Sequence, residues 1–153
     1  MKRSNNPTKG YTLIELMVVV GIISLLLGLS LDGLYNLIQW SKLNRAAAVL
    51  SAELKNTQSR AFYEGVWYKI EFQPTYERYK IFKETELERK VQLENIDLFH
   101  TNFTDNRVRF LPNGSPSMGG TVTLKNRRGK ILYVIMTPVT ARVRISQNPP
   151  ENW

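Results

Sequence analysis

The sequence predicts an α+β protein, with one long N-terminal α-helix packed on a C-terminal antiparallel β-sheet domain. Three observations carry that prediction. An apolar run from Tyr11 to Leu31 passes, with no proline between Thr8 and Gln73, into an amphipathic stripe. Past Gly65 the apolar period changes from three-and-four to two, the period of a strand. Turn residues then recur between short alternating segments for the rest of the chain.

The helix is read first. Tyr11 to Leu31 is 21 residues long. At about 1.5 Å rise per residue it extends roughly 30 Å, enough to cross the hydrocarbon core of a bilayer. Beyond it, Trp40, Leu43, Ala47, Leu50, Leu54, Thr57 and Ala61 form one stripe, with Lys42, Arg45, Glu53, Lys55 and Arg60 between them. Gly65 is a natural stop. One helix from about Tyr11 to Tyr63 is therefore expected, loosened at Asp32-Gly33, its second half covering a sheet.

Strands follow. Val66, Tyr68, Ile70 and Phe72 alternate with polar neighbours, and Gln73-Pro74-Thr75 turns the chain into a second strand around Tyr79 to Phe82. Glu84 to Lys90 reads as a charged connector. Further strands are expected near Val91–Leu98, Arg107–Leu111, Thr121–Leu124, Ile131–Met136 and Arg142–Ser146. Asn126-Arg127-Arg128-Gly129 reads as a hairpin turn. Leu111 to Gly120 is a turn-rich loop, and the tail after Gln147 is irregular. The expected organisation is 1–10 as a leader, 11–31 as a membrane or core helix, 32–63 as an amphipathic helix and 64–153 as a β-rich domain.

Composition narrows the chemistry. The 153 residues carry a net charge of +8 and no cysteine, so disulfides and thiolate metal sites are excluded. Lys2, Arg3 and Lys9 precede the apolar run, whereas residues 101–153 hold eight basic side chains against Asp105 and Glu151. His100 is the only histidine, Glu84, Glu86 and Glu88 alternate beside Arg89 and Lys90, and Gly119-Gly120 leads into a strand rather than a helix. No metal, cofactor or catalytic function is expected from so sparse a constellation.

The edges of the apolar run are the most informative part. Basic residues on its N-terminal side place that end in the cytoplasm and the C-terminal domain outside. No small-x-small cleavage site follows the run, so an ordinary secretory signal fits poorly. A cut before the run, after Gly10, would retain it; a residue without a side chain lies close against a protease groove. Glu15 is the sole charge in the segment, and an intramembrane carboxylate requires a partner. A cut after Gly10 creates a positive amine four positions before it.

On Gly10-Tyr11-Thr12-Leu13-Ile14-Glu15-Leu16, with the basic leader before it, the chain resembles the type IV prepilin family, which includes pilins and the pseudopilins of type II secretion. Tyr11 stands where the family usually has Phe. The resemblance implies that a prepilin peptidase cuts after Gly10 and that Tyr11 becomes N-methylated. It also implies that Glu15 pairs with the N-terminal amine of a neighbouring pilin or pseudopilin subunit. The chain would begin as a single-pass protein of the bacterial inner-membrane bilayer, then join an extracytoplasmic filament through an inner-membrane assembly platform. Phe110-Leu111-Pro112-Asn113-Gly114, the strand-turn-strand from Thr121 to Met136, and Ala141-Arg142-Val143-Arg144-Ile145 resemble the minor pseudopilin H and minor pilin T domain. There the family usually has Gly where this chain has Ala141.

The basic far end admits two readings. Arg142 and Arg144, with Arg127, Arg128 and Lys130 at a hairpin taken to lie nearby, would suit the phosphates of DNA in an uptake pilus. Arg107 and Arg109 share a face of another strand. The alternative is a solvated face on a minor subunit of a secretion pseudopilus or type IV pilus.

Overall fold

The computed structural model describes residues 10–138 and 141–150. A single helix, α1, runs Leu13–Glu64 over 52 residues, and Asp32-Gly33 does not interrupt it. Gly65 ends it with φ +67, a left-handed conformation open to glycine without a Cβ penalty. The chain divides into two compact units, residues 1–37 and 38–153. The leader residues Lys2, Arg3 and Lys9 lie outside the described residues.

The second unit holds the rest of α1 and eight strands. These are β1 (Tyr68–Gln73), β2 (Arg78–Lys83), β3 (Glu86–Gln92), β4 (Ile96–Thr101), β5 (Arg107–Phe110), β6 (Gly120–Asn126), β7 (Ile131–Met136) and β8 (Val143–Ser146). They form two four-stranded sheets, ordered β3-β2-β1-β5 and β4-β6-β7-β8, with every pairing antiparallel.

The stripe predicted on α1 is the core face. Leu43, Ala47, Leu50, Leu54, Thr57 and Ala61 are buried and Trp40 is half-buried. The alternating residues Tyr68, Ile70 and Phe72 of β1 join the same core, as do Val122, Leu124 and Val134 of the second sheet. Each fully buried large apolar side chain contributes about 1.5–3 kcal/mol relative to exposure. Phe72 and Phe103 stack at 5.5 Å between centroids and join the two sheets. Gly120 belongs to that packing, because a Cβ there would stand 2.6 Å from the Phe103 ring. Gly119-Gly120 thus serves close packing at the start of β6.

Two readings of the strands are corrected. The charged segment taken as a connector is β3, and the strand expected over Val91–Leu98 is divided between the end of β3 and β4 by a turn at residues 93–95. The cause is position. β3 is an edge strand exposed along almost its whole length, so it shows no apolar alternation. Its order comes from backbone pairing with β2, and charged side chains on an edge oppose further strand addition.

Candidate functional site

The N-terminal end of α1 is built around Thr12 and Glu15. The Thr12 amide donates to Glu15 Oε2 at 3.1 Å, and the Glu15 amide donates to Thr12 Oγ at 3.2 Å. Thr12 Oγ also donates to the same carboxylate oxygen at 3.2 Å. This is a capping box, which satisfies two amides that the first helical turn leaves without intrahelical partners. It places a carboxylate where the positive end of the helix dipole favours one. Thr12 is the N-cap of α1, a role that the Thr-x-x-Glu spacing signals in the sequence.

Around this cap the side chains face outward. Tyr11 is 92% exposed and Leu13 77%. A Cβ built on Gly10 meets nothing within 4 Å, so no contact inside the described chain calls for glycine there. The same holds for Gly21 and Gly28, while the Ser24 hydroxyl is satisfied by the Val20 carbonyl at 2.8 Å. Among the described residues, α1 is the one helix long and apolar enough to cross a membrane.

The basic residues of the second unit do not form one patch. Arg127, Arg128 and Lys130 lie on the β6–β7 turn, where the Asn126 side chain accepts from the amides of Arg128 and Lys130, each at 3.0 Å. Lys130 Nζ stands 5.2 Å from the centre of the Trp40 ring. Arg142 and Arg144 are exposed at the other end of the second sheet, with Arg144 opposite Ile135 and Val143 opposite Met136. From Ile131 to Ile135 the strand advances on the order of 13 Å. The hairpin expected near Arg142 and Arg144 is therefore distant from them along β7. Ala141, before this segment, has φ +50. His100 is exposed on β4, beside an irregularity in its pairing with β6.

A polar cluster joins the end of α1 to the first sheet. Arg60 binds Glu88 and Glu64, Lys83 lies 2.8 Å from Glu64, and the Tyr68 hydroxyl donates to Glu64 at 2.8 Å. The Lys83 hydrogen bond, then that of Tyr68, pushes the Glu64 carboxyl down to about 2. Burial, reinforced by the Glu64 contact, pushes Tyr68 up to about 12. These groups hold the helix end to the sheet.

An apolar helix with a capped carboxylate near its start, and a second unit in which the helix packs with two antiparallel sheets, define a pilin-like protein. The prokaryotic N-terminal methylation motif matches residues 5–31, and the family of type II transport protein GspH matches residues 41–148. The chain belongs to that GspH family, within the pilins and pseudopilins.

Solved structures agree on the fold. The minor pseudopilin EpsH from the type 2 secretion system of Vibrio cholerae aligns with a TM-score of 0.58 at 10% identity, covering 69% of this chain and 96% of that one. The type IV minor pilin FimU of Pseudomonas aeruginosa aligns in two crystal forms, with TM-scores of 0.57 and 0.59 at 15% and 14% identity. Those alignments cover 71% and 74% of this chain, and 98% and 96% of FimU. Among curated proteins, none matches the chain.

Proposed function

We propose that this chain is a minor pseudopilin that takes part in protein secretion. It enters the bacterial inner membrane through residues 11–31 with its N-terminus inside, is cut after Gly10 by a prepilin peptidase and is N-methylated at Tyr11. It then leaves the bilayer through an inner-membrane assembly platform and joins a type II secretion pseudopilus or type IV pilus-like filament. The carrying observation is the succession along one chain of a methylation motif over residues 5–31 and a GspH domain over residues 41–148.

Glu15 is the assembly counter-ion in this reading. Its carboxylate already accepts from the Thr12 amide, so it is placed at the helix start before any neighbour arrives. In low dielectric, removing one member of an interacting charge pair costs about 3–5 kcal/mol. Glu15→Ala should therefore be processed normally yet be lost from filaments. Mass analysis of the N-terminus from the host cell tests the first half and filament fractionation the second. An intact leader in the wild-type protein would end the proposal, as would normal incorporation of Glu15→Ala.

A DNA-uptake role is the second reading, and the exposure of Arg142 and Arg144 favours it. A salt-dependent DNA shift that is lost in Arg142→Ala/Arg144→Ala would support it; no shift at low salt would dismiss it.

A further inference from the structure

The outward face of the first sheet carries charge that the fold itself does not require. On β1 the outward residues are Lys69, Glu71 and Gln73, because Tyr68, Ile70 and Phe72 point into the core. Lys69 stands directly opposite Arg109 of β5, and Lys80 of β2 directly opposite Lys90 of β3. Like charges facing each other across a ladder destabilise a sheet. Glu71 offsets part of this, since it lies opposite both Lys80 and Arg107 and 3.6 Å from Lys69. Asp105 binds Arg107 at 2.6 Å. Arg78 of β2 faces outward opposite Gln73, so two carboxylates stand among six cations, which leaves the face strongly positive.

The cations are also held in place. The Arg109 guanidinium lies 4.6 Å from the Trp67 ring centre, and Lys69 Nζ lies 4.1 Å from that of Phe82. A guanidinium stacked on a ring keeps its N–H edge free for bidentate binding of an anion. Lys69, Arg107 and Arg109 also line a depression of about 280 Å³ with the apolar side chains Leu111 and Met118 on its wall.

We infer that this face is a docking surface for a net-acidic protein, whose Asp and Glu carboxylates pair with Lys69, Arg107 and Arg109 while its apolar side chains enter the depression. Charge complementarity requires an anionic occupant. The mixture of arginine, aromatic side chains and methionine is that of the buried centre of a protein–protein interface. A nucleic acid fits less well. Trp67 and Phe82 each already hold a cation on one ring face, and Glu71 and Asp105 would stand against a run of phosphates. The inference concerns a surface outside the N-terminal processing and assembly residues and does not depend on them.

The test uses the full chain in neutral detergent micelles and a fluorescent glutamate–tyrosine copolymer as probe, with duplex DNA of equal formal charge as competitor. Arg107→Gln/Arg109→Gln should weaken copolymer binding by about tenfold, a loss of about 1.4 kcal/mol. Arg142→Gln/Arg144→Gln removes the same charge elsewhere and should change it by less than about twofold. Equal weakening by both pairs, no weakening by the first, or no binding at low salt overturns the inference. Tighter binding of DNA than of copolymer also overturns it, in favour of a nucleic-acid surface. If the first variant does not fold, Lys80→Gln/Lys90→Gln replaces it. That pair relieves a like-charge contact and should leave thermal stability unchanged or raised while weakening binding severalfold; unchanged binding overturns the inference.

Discussion

Arg60 of α1 grips Glu88 of β3 with both arms, Nη1 donating to Oε2 at 2.7 Å and Nη2 to Oε1 at 2.6 Å. The same guanidinium lies 4.8 Å from the Tyr68 ring centre and donates to its hydroxyl at 2.7 Å. One helix side chain thereby fastens an edge strand that has almost no buried face of its own. The Glu88 hydrogen bond, foremost, raises the affinity of Arg60 for its proton above the ordinary arginine value.

Arg60→Ala should destabilise the second unit by about 1–1.5 kcal/mol. Both side chains are about one-third exposed, so solvent screening reduces the pair below a buried one, while bidentate geometry keeps it above an isolated surface pair. Urea unfolding of the full chain in detergent, followed by tryptophan fluorescence, would measure the loss. Amide exchange in β3 should rise with it.

The low carboxyl of Glu64 sets an acid limit. Its ordinary value is 4.5 and the folded protein holds it near 2, chiefly through Lys83. The folded state therefore binds fewer protons than the unfolded chain between these values, so the contribution is complete above about pH 4.5 and disappears as pH falls toward 2. The melting temperature should hold steady from pH 7 to 5 and fall below 4.5. In Glu64→Gln that acid slope should be shallower.

Ala141→Gly should stabilise the fold by about 0.5–1 kcal/mol. The site has φ +50, where an alanine Cβ is strained and glycine is not. Thermal unfolding of the two proteins compares them directly.

Gly10→Val should leave stability within about 0.5 kcal/mol of wild type, because added atoms at that position meet nothing in the chain. Under the proposed processing it should nevertheless retain the leader, which intact-mass measurement on membrane fractions would reveal. Loss of stability without loss of cleavage would refute both expectations.

Much of this architecture is readable from residue order, for a local reason. The stripe from Leu43 to Ala61 repeats at helical spacing whatever it packs against, and Tyr68, Ile70 and Phe72 alternate because one sheet face is buried. Strand β3 was not readable in this way. Its side chains are exposed, so its pairing leaves no apolar trace, and charges at Glu86, Glu88, Arg89 and Lys90 resemble a loop. The Thr12–Glu15 cap was legible in its spacing but was overshadowed by the cost of the carboxylate in an apolar run.

The sequence by itself determined the long helix, its apolar first part, its buried later stripe and most of the strands, because periodicity and turn chemistry act over a few residues. Only the tertiary structure decided which cations share a surface. Sheet order brings Lys69, Arg107 and Arg109 onto one face although they come from strands far apart in the chain. The length of β7 separates Lys130 from Arg144, although residue order alone suggests that the hairpin and the last strand lie side by side. Charges in sequence sum without regard to position; strand register gives each one a place and a neighbour.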